Sequence, residues 1–192
     1  MSAIDWPPKF TLDAEHILKL LTGDRFYSAA DAAIREAILN AIDAIGRRQI
    51  AEPDLPSDIK VLYDESAMTV TISDNGDGMG KIELAELFSK VGASASRIAQ
   101  TSGEEQYKAV AEFGIGVVSY FLVSDRFEVH TLQRDGEAIG LEFTHTMLDA
   151  KTPDILTKSL RDTIGTTLVL SVRNEKIFHR LQERFPHWAR DI

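Results

Sequence analysis

Short segments in which apolar and polar residues alternate occur as adjacent pairs along this chain. Residues 59–63 and 68–72 alternate in this way, and a Glu-Ser-Ala stretch that can turn lies between them. Residues 126–132 and 138–145 form a second pair around the turn signal Arg-Asp-Gly. Alternation with a period of two is typical of strands with one buried face, and short connections join such strands antiparallel. The pattern therefore predicts two β-hairpins and argues against a strict βαβ alternation.

Helical spacing of apolar residues occupies much of the remaining chain. The longest such stretch runs from 28 to 48, with Ser28 as a candidate N-cap, and prolines end the pattern after it. Runs of helix beside hairpin-linked strands indicate an α+β fold, a two-layer sandwich whose mostly antiparallel sheet is covered on one face by helices. Shorter helices are predicted at 13–21, 81–90, 110–122 and 174–185, the last ending before Pro186, and a further strand at 166–172.

Composition narrows the classes of function. The 192 residues include 30 Asp and Glu against 21 Lys and Arg, a formal net charge of −9, and no cysteine. An acidic surface repels nucleic acid, so a nucleic-acid partner is not expected for this domain. The lack of cysteine excludes disulfides and thiolate chemistry and suits a reducing compartment. No apolar run approaches the ~20 residues of a membrane-spanning helix, which favours a cytoplasmic protein without a membrane partner.

The predicted helix at 28–48 carries a polar row opposite its stripe of isoleucines. At ~100° per residue, Glu36, Asn40 and Asp43 fall on the same side. A solvated face is the ordinary interpretation of such a row. Small apolar neighbours and a mid-helix asparagine, an indifferent helix former, favour a row that lines a pocket. Amide and carboxylate oxygens suit Mg²⁺, and a glutamate one turn away could hold or deprotonate a water molecule.

A glycine-rich loop follows the first hairpin. Residues 72–80, ISDNGDGMG, place Asp74 at a strand end, ahead of three glycines. Glycines let a ligand approach the backbone, and a partly buried Asp74 requires a donor, such as an exocyclic amine. An ordinary turn or a calcium loop is the alternative. Calcium is disfavoured because the twelfth position from Asp74 is Ala85 and the preceding element is a strand.

A second glycine segment, EFGIGVVSYF at 112–121, begins an apolar helix. Its free amides and helix N-terminus suit a phosphate group, although small residues for helix packing explain the same pattern about as well. It is neither a P-loop nor a dinucleotide-binding fingerprint. Ahead of it, residues 92–108 are polar and serine-rich without an apolar period, and a segment of this length predicts a functional lid.

In this order, these segments resemble the Bergerat-fold (GHKL) ATPases, which include the 90-kDa heat-shock chaperones, MutL, type II topoisomerase ATPase domains and sensor histidine kinases. The segments YSAADAAIREAILNAIDAI, DNGDGM, EFGIGVVSYF and IGTTLVLSV resemble the motifs of the chaperones' N-terminal ATP-binding domain most closely. The resemblance implies that residues 1–172 form that domain, with its lid at about 92–108. Residues 173–192 would be a helix leading to a further domain absent from this chain.

The resemblance also implies roles for individual residues. Glu36 would be the general base, Asn40 would bind Mg²⁺, and Asp43 would line the pocket beside it. Asp74 would accept the adenine amine, with Thr166 holding the surrounding network. The other contacts to ATP or ADP would come from Gly78 and Met79 at the adenine slot, from Gly114, Ile115, Gly116 and Val117 at the phosphates, and from Lys90 near the lid edge.

Two positions depart from the chaperone pattern. Ala111 stands where those proteins usually carry glycine, and Leu84 stands where they often carry asparagine. No cation in the chain is identified as a γ-phosphate sensor, so the expected function is slow Mg-dependent ATP hydrolysis by a chaperone-like domain. An ATP-dependent homodimer through the full-length protein is expected, with an unknown client. The alternatives are a MutL-type DNA-transacting ATPase, a histidine kinase catalytic domain and a nucleotide-gated interaction module without turnover.

Overall fold

The computed structural model describes residues 26–85, 116–144 and 153–188, and within them the side chains of 33–85, 119–144 and 153–183. The predicted helix at 13–21, the predicted lid and the first residues of the predicted helix at 110–122 lie outside these ranges. No helix in the described ranges combines the length and the apolar character needed to cross a membrane.

The described elements form one antiparallel sheet with helices packed on it. The strands pair in the order β1-β2-β6-β3-β4-β5, and every pair is antiparallel. This arrangement confirms the α+β class and both predicted hairpins. The bounds are α1 Phe26–Ala51, β1 Ile59–Asp64, β2 Thr69–Asp74, α2 Gly116–Val123, β3 Ser124–Leu132, β4 Ile139–Thr144, β5 Asp154–Ile155, β6 Gly165–Val172 and α3 Glu175–Trp188; residues 81–85 are also helical.

One face of the sheet packs against α1 and α2. The predicted apolar stripe of α1 is buried, with Ile34 and Ile38 almost fully covered. On the sheet, Phe127 stacks on Phe143 with ring centroids 4.7 Å apart and contacts Phe121 of α2 at 4.9 Å. Full burial of such a side chain contributes about 1.5–3 kcal/mol. This core fixes the position of α1 over the sheet and therefore the position of its polar row.

Three details differ from the sequence predictions. The helix α1 begins at Phe26, so Ser28 lies inside the helix and the predicted N-cap is wrong; the helical conformation simply extends further toward the N-terminus. The helix α3 continues through Pro186 to Trp188, so the prediction that it ends before Pro186 is wrong; the φ of proline, about −65°, is compatible with a helix. The strand β5 has two residues, too few to show a period in the sequence.

Candidate functional site

A cavity of about 240 Å³ lies between α1, the loop after β2 and the helix-covered face of the sheet. Its apolar base comes from three strands, through Ile72, Val129 and Leu168. A concave apolar surface with a small number of polar groups suits a flat heterocyclic ligand. The lining residues are Ala37, Asn40, Ala41, Asp43, Ala44, Arg47, Ile72, Asp74, Asp77, Gly78, Met79, Leu84, Tyr120, Val129, Thr166 and Leu168.

The polar row predicted on α1 lies at this cavity. Asn40 and Asp43 line it, and Glu36 lies one turn before Asn40 with a half-buried side chain. The small neighbours Ala37 and Ala44 are buried in the cavity wall, which is the arrangement that their size indicated. Burial raises the pKa of Glu36, and hydrogen bonding from the Asn40 side chain opposes that rise. A carboxylate in this environment is a suitable proton acceptor near neutral pH.

Asp74, the last residue of β2, is buried, with 8% of its surface exposed. Its Oδ1 accepts hydrogen bonds from the backbone N–H groups of Gly76 at 2.8 Å and Thr166 at 3.2 Å. Among the described residues, Oδ2 has no hydrogen-bond partner. Burial raises the pKa of Asp74, although both hydrogen bonds and the nearby Arg161 guanidinium act in the opposite direction. Asp74 therefore presents one oxygen fixed by the protein and one acceptor for a ligand.

Backbone contacts hold this strand end in place. The Nη2 atom of Arg161 donates to the carbonyl oxygens of Asp74 at 3.1 Å and Ile164 at 2.8 Å. Gly165 has a φ of +133°, and a Cβ there would lie 2.2 Å from the Asp74 carbonyl oxygen. Only glycine fits where β6 begins beside β2. The predicted site residues Asp74 and Thr166, far apart in sequence, are brought together in this way.

The glycine loop after β2 packs directly against its neighbours. A Cβ at Gly76 would lie 2.5 Å from the Ala44 Cβ on α1. Gly78 has a φ of +67°, and a Cβ there would lie 2.1 Å from the carbonyl oxygen of Leu132. The conformation of the loop therefore depends on these glycines, because they make room for Ala44 and Leu132; the predicted approach of a ligand to the loop backbone stays a prediction.

Thr131, a residue that the sequence analysis missed, links Met79 to Thr166 by hydrogen bonds. The Met79 N–H donates to Thr131 Oγ1 at 2.8 Å, and that oxygen lies 3.3 Å from Thr166 Oγ1. Thr131 is fully buried on β3, in register with Thr166 on β6. No signal in the sequence marks it, because its place at the site depends on pairing between distant strands.

Two residues that do line the cavity, Arg47 and Asp77, were also missed. The Arg47 guanidinium forms two hydrogen bonds with Asp77, Nε to Oδ2 at 2.7 Å and Nη2 to Oδ1 at 3.0 Å. This ion pair joins α1 to the glycine loop at the edge of the cavity. The available signal was helical spacing, since Arg47 lies one turn beyond Asp43 on the same helix.

Tyr120 on α2 is another cavity residue that the sequence analysis missed. Its Oη accepts a hydrogen bond from Asn40 Nδ2 at 3.5 Å, and its side chain is 5% exposed. The only sequence signal is a hydroxyl-bearing aromatic residue within a mostly apolar segment.

The predicted phosphate contacts lie only partly within the described ranges. Gly116 is the first residue of α2 and Val117 is the second, and the side chain of Val117 is not among those described. Lys90, Gly114 and Ile115 lie outside the described residues. The roles of all five residues stay predictions.

The oxygen atoms that line the cavity suit a Mg²⁺ ion most of whose ligands come from a bound nucleotide and water. Within the described residues, no group of three or more His, Asp or Glu side chains could hold a metal ion. Mg²⁺ instead commonly uses one or two protein oxygens together with water and substrate phosphates. The Asn40 amide oxygen at the cavity is a donor of that kind.

Comparison with known proteins adds independent information. Residues 27–172 match the family model described as histidine kinase-, DNA gyrase B-, and HSP90-like ATPase. Proteins named chaperone protein HtpG are similar to this chain: that of Methylobacterium nodulans is 33% identical over 159 residues, covering 77% of this chain and 25% of the relative. The HtpG of Chromobacterium violaceum is 30% identical over 176 residues, covering 85% and 27%. The chain thus spans about a quarter of the length of these relatives. Because the family match includes the entire described sheet and the whole cavity lining, the chain belongs to the histidine kinase-, DNA gyrase B- and HSP90-like ATPase family.

Proposed function

We propose that this chain is an ATP-binding domain that hydrolyses ATP slowly with Mg²⁺ and acts as a chaperone-like conformational ATPase. The observation that carries the proposal is the geometry of Asp74. Its Oδ1 is held by two backbone amides, and its Oδ2 is left as an acceptor beside an apolar slot. This arrangement supports recognition of a flat base that carries an exocyclic amine, as adenine does.

The other cavity residues support the remaining parts of the reaction. Gly78, Met79 and Thr166 would shape the adenine slot, and Asn40 would hold Mg²⁺ with Asp43 beside it. Bound magnesium would supply neutralisation of the phosphate charge. Glu36 would orient a water molecule and accept its proton. The water oxygen forms a bond to the γ-phosphorus while the bond to the β–γ bridging oxygen breaks, giving ADP and phosphate.

Slow turnover is proposed because no cation of this chain is assigned to the γ-phosphate. A cation that stabilises the transition state of phosphoryl transfer contributes several orders of magnitude in rate. The HtpG relatives are about four times longer than the matched segment, so such a group would come from a downstream region. Residues 173–192 would lead into that region, and residues 92–108 would close over ATP as a lid.

The chaperone assignment comes from the relatives, which are named chaperone protein HtpG. We extend it to the full-length form of this protein, with ATP-dependent homodimerisation and an unidentified client. The cytoplasm is the proposed compartment, as composition predicts.

Radiolabelled ATP separates this proposal from its alternatives. With ATP labelled at the γ-phosphate and Mg²⁺, we expect release of free labelled phosphate at a low rate. Label transferred to the protein would indicate a histidine kinase domain, and intact bound ATP without release would indicate a switch without turnover. Absence of ATP binding in calorimetry would overturn the proposal altogether. Salt-sensitive retention on DNA by the full-length protein would favour the DNA-transacting alternative.

A further inference from the structure

Tyr120 lines the cavity, yet the proposed reaction gives it no role. Its ring lies edge-on to Phe127, with centroids 5.3 Å apart and 76° between the ring planes. The side chain is almost fully buried between α1 and the sheet. These contacts fix the ring and thereby the position of the hydroxyl group.

The hydroxyl lies next to the Asn40 amide. Asn40 Nδ2 donates to Tyr120 Oη over 3.5 Å, a long hydrogen bond, and Glu36 lies one turn before Asn40 on the same helix. A primary amide has two N–H donors on nitrogen and an acceptor oxygen. With the amide nitrogen directed to Tyr120, the Asn40 Oδ1 atom is left as an acceptor on the other side of the amide.

We propose that Tyr120 is a positioning residue, whose hydroxyl holds the nitrogen of the Asn40 amide and so leaves the amide oxygen available to a magnesium–nucleotide complex. The metal part of this inference rests on the proposed function, and the orientation of the amide does not. Without the hydroxyl, the Asn40 amide loses the hydrogen-bond acceptor that favours this orientation. A rotated amide presents its N–H₂ group to the cation, which is an unfavourable arrangement.

Substitution Tyr120→Phe tests the proposal, because it keeps the ring and removes only the hydroxyl. The matched control is Tyr63→Phe, which removes a half-buried hydroxyl bonded to the Leu181 carbonyl oxygen at 3.2 Å, away from the cavity. Calorimetry would measure ATP affinity against Mg²⁺ concentration and again in excess EDTA. For Tyr120→Phe we expect the Mg²⁺ requirement to rise about threefold to tenfold, as for one net hydrogen bond, with affinity in EDTA unchanged. Tyr63→Phe should change neither quantity.

The same substitution in an Asn40→Asp protein distinguishes a positioning role of Tyr120 from a general perturbation of the cavity. A carboxylate has an oxygen on both sides, so in an Asn40→Asp protein the Mg²⁺ requirement should not respond to Tyr120→Phe. An equal response in both backgrounds, or none in the wild-type background, would overturn the proposal.

Nuclear magnetic resonance tests the amide orientation without nucleotide, so failure of the proposed function stays separate from failure of this inference. In the unsubstituted protein we expect cross-peaks between the Asn40 side-chain N–H₂ protons and the Tyr120 ring. Tyr120→Phe should shift those amide signals, and Tyr63→Phe should leave them in place. Absence of the cross-peaks would refute the orientation, whether or not Tyr120→Phe folds.

Discussion

Asp74 has two oxygen atoms with different tasks, and the substitution Asp74→Asn separates them. The Asn Oδ1 can still accept from the Gly76 and Thr166 backbone amides, while an N–H₂ group replaces the free acceptor. We expect ATP affinity to fall about 10- to 100-fold, the usual effect of losing a hydrogen bond to a charged group. The melting temperature should be maintained or rise, because a buried charge is removed. Calorimetry and thermal unfolding measure the two effects, and unchanged affinity would contradict the role.

The raised pKa of Asp74 predicts a pH dependence of binding. The ordinary value is 3.8, and burial places the folded-state pKa above it. Protonation converts the free acceptor into a donor, so ATP affinity should fall as pH decreases through the folded-state pKa. Folding responds in the opposite sense: the Asp74 contribution to the free energy of unfolding is present below pH 3.8 and is lost as pH rises through the folded-state pKa. Titrations across this range should show a smaller pH effect in Asp74→Asn.

Glu36 is expected to affect turnover without affecting binding. Its side chain is not among the residues that line the base-binding part of the cavity, and it lies one turn from Asn40. Glu36→Ala should reduce phosphate release by about 10²- to 10⁴-fold, the range for loss of a general base. ATP affinity measured by calorimetry should stay within about twofold, since the Asp74 contact is retained. Wild-type turnover by this variant would exclude Glu36 as the base.

At the scale of elements, adding a methyl group should have opposite effects on stability at two glycines, one in the contact between α1 and the glycine loop and one on an open part of α1. At Gly76 an added Cβ would lie 2.5 Å from Ala44, so Gly76→Ala must separate the loop from α1. We expect a loss of about 1–3 kcal/mol of stability and weaker ATP binding. Gly46 is on the same helix with nothing within 4 Å of its added Cβ, so Gly46→Ala should stabilise the protein by about 0.5–1 kcal/mol. Chemical denaturation of both variants checks this contrast, and equal shifts would contradict it.

Local patterns predict local elements and do not predict how distant elements meet. Alternation marked the first hairpin and a turn signal marked the second, and helical spacing placed Glu36, Asn40 and Asp43 on one side of α1. The insertion of β6 between β2 and β3 has no local signal, because it depends on pairing across most of the chain. For the same reason, Thr131 could not be recognised as a site residue. The glycine-loop pattern marked Asp74 and the resemblance to a known family supplied Thr166, and the structure describes a direct contact between the two residues.

At the scale of the whole molecule, ATP should stabilise the fold, because its site draws on α1, β2, α2, β3 and β6. A ligand that binds only the folded state at 100 times its Kd contributes about 2.7 kcal/mol. For a chain of this size that corresponds to a melting-temperature rise of roughly 5–11 °C. Thermal unfolding with and without Mg-ATP measures it, and Asp74→Asn serves as the control that should show little rise. An equal rise in both proteins would place the binding elsewhere.

The strand order also has a consequence for biosynthesis. The strand β6, the last of the described strands along the chain, lies in the middle of the sheet between β2 and β3. A growing chain that has not yet released residue 166 from the ribosome lacks the backbone amide that fixes Asp74 Oδ1. Such a chain lacks the central strand of the sheet, and its base-binding cavity is incomplete. Nucleotide therefore cannot assist the early folding of this chain. Pairing of such distant segments is slow to form, and nucleotide binding should therefore appear only after synthesis has passed β6.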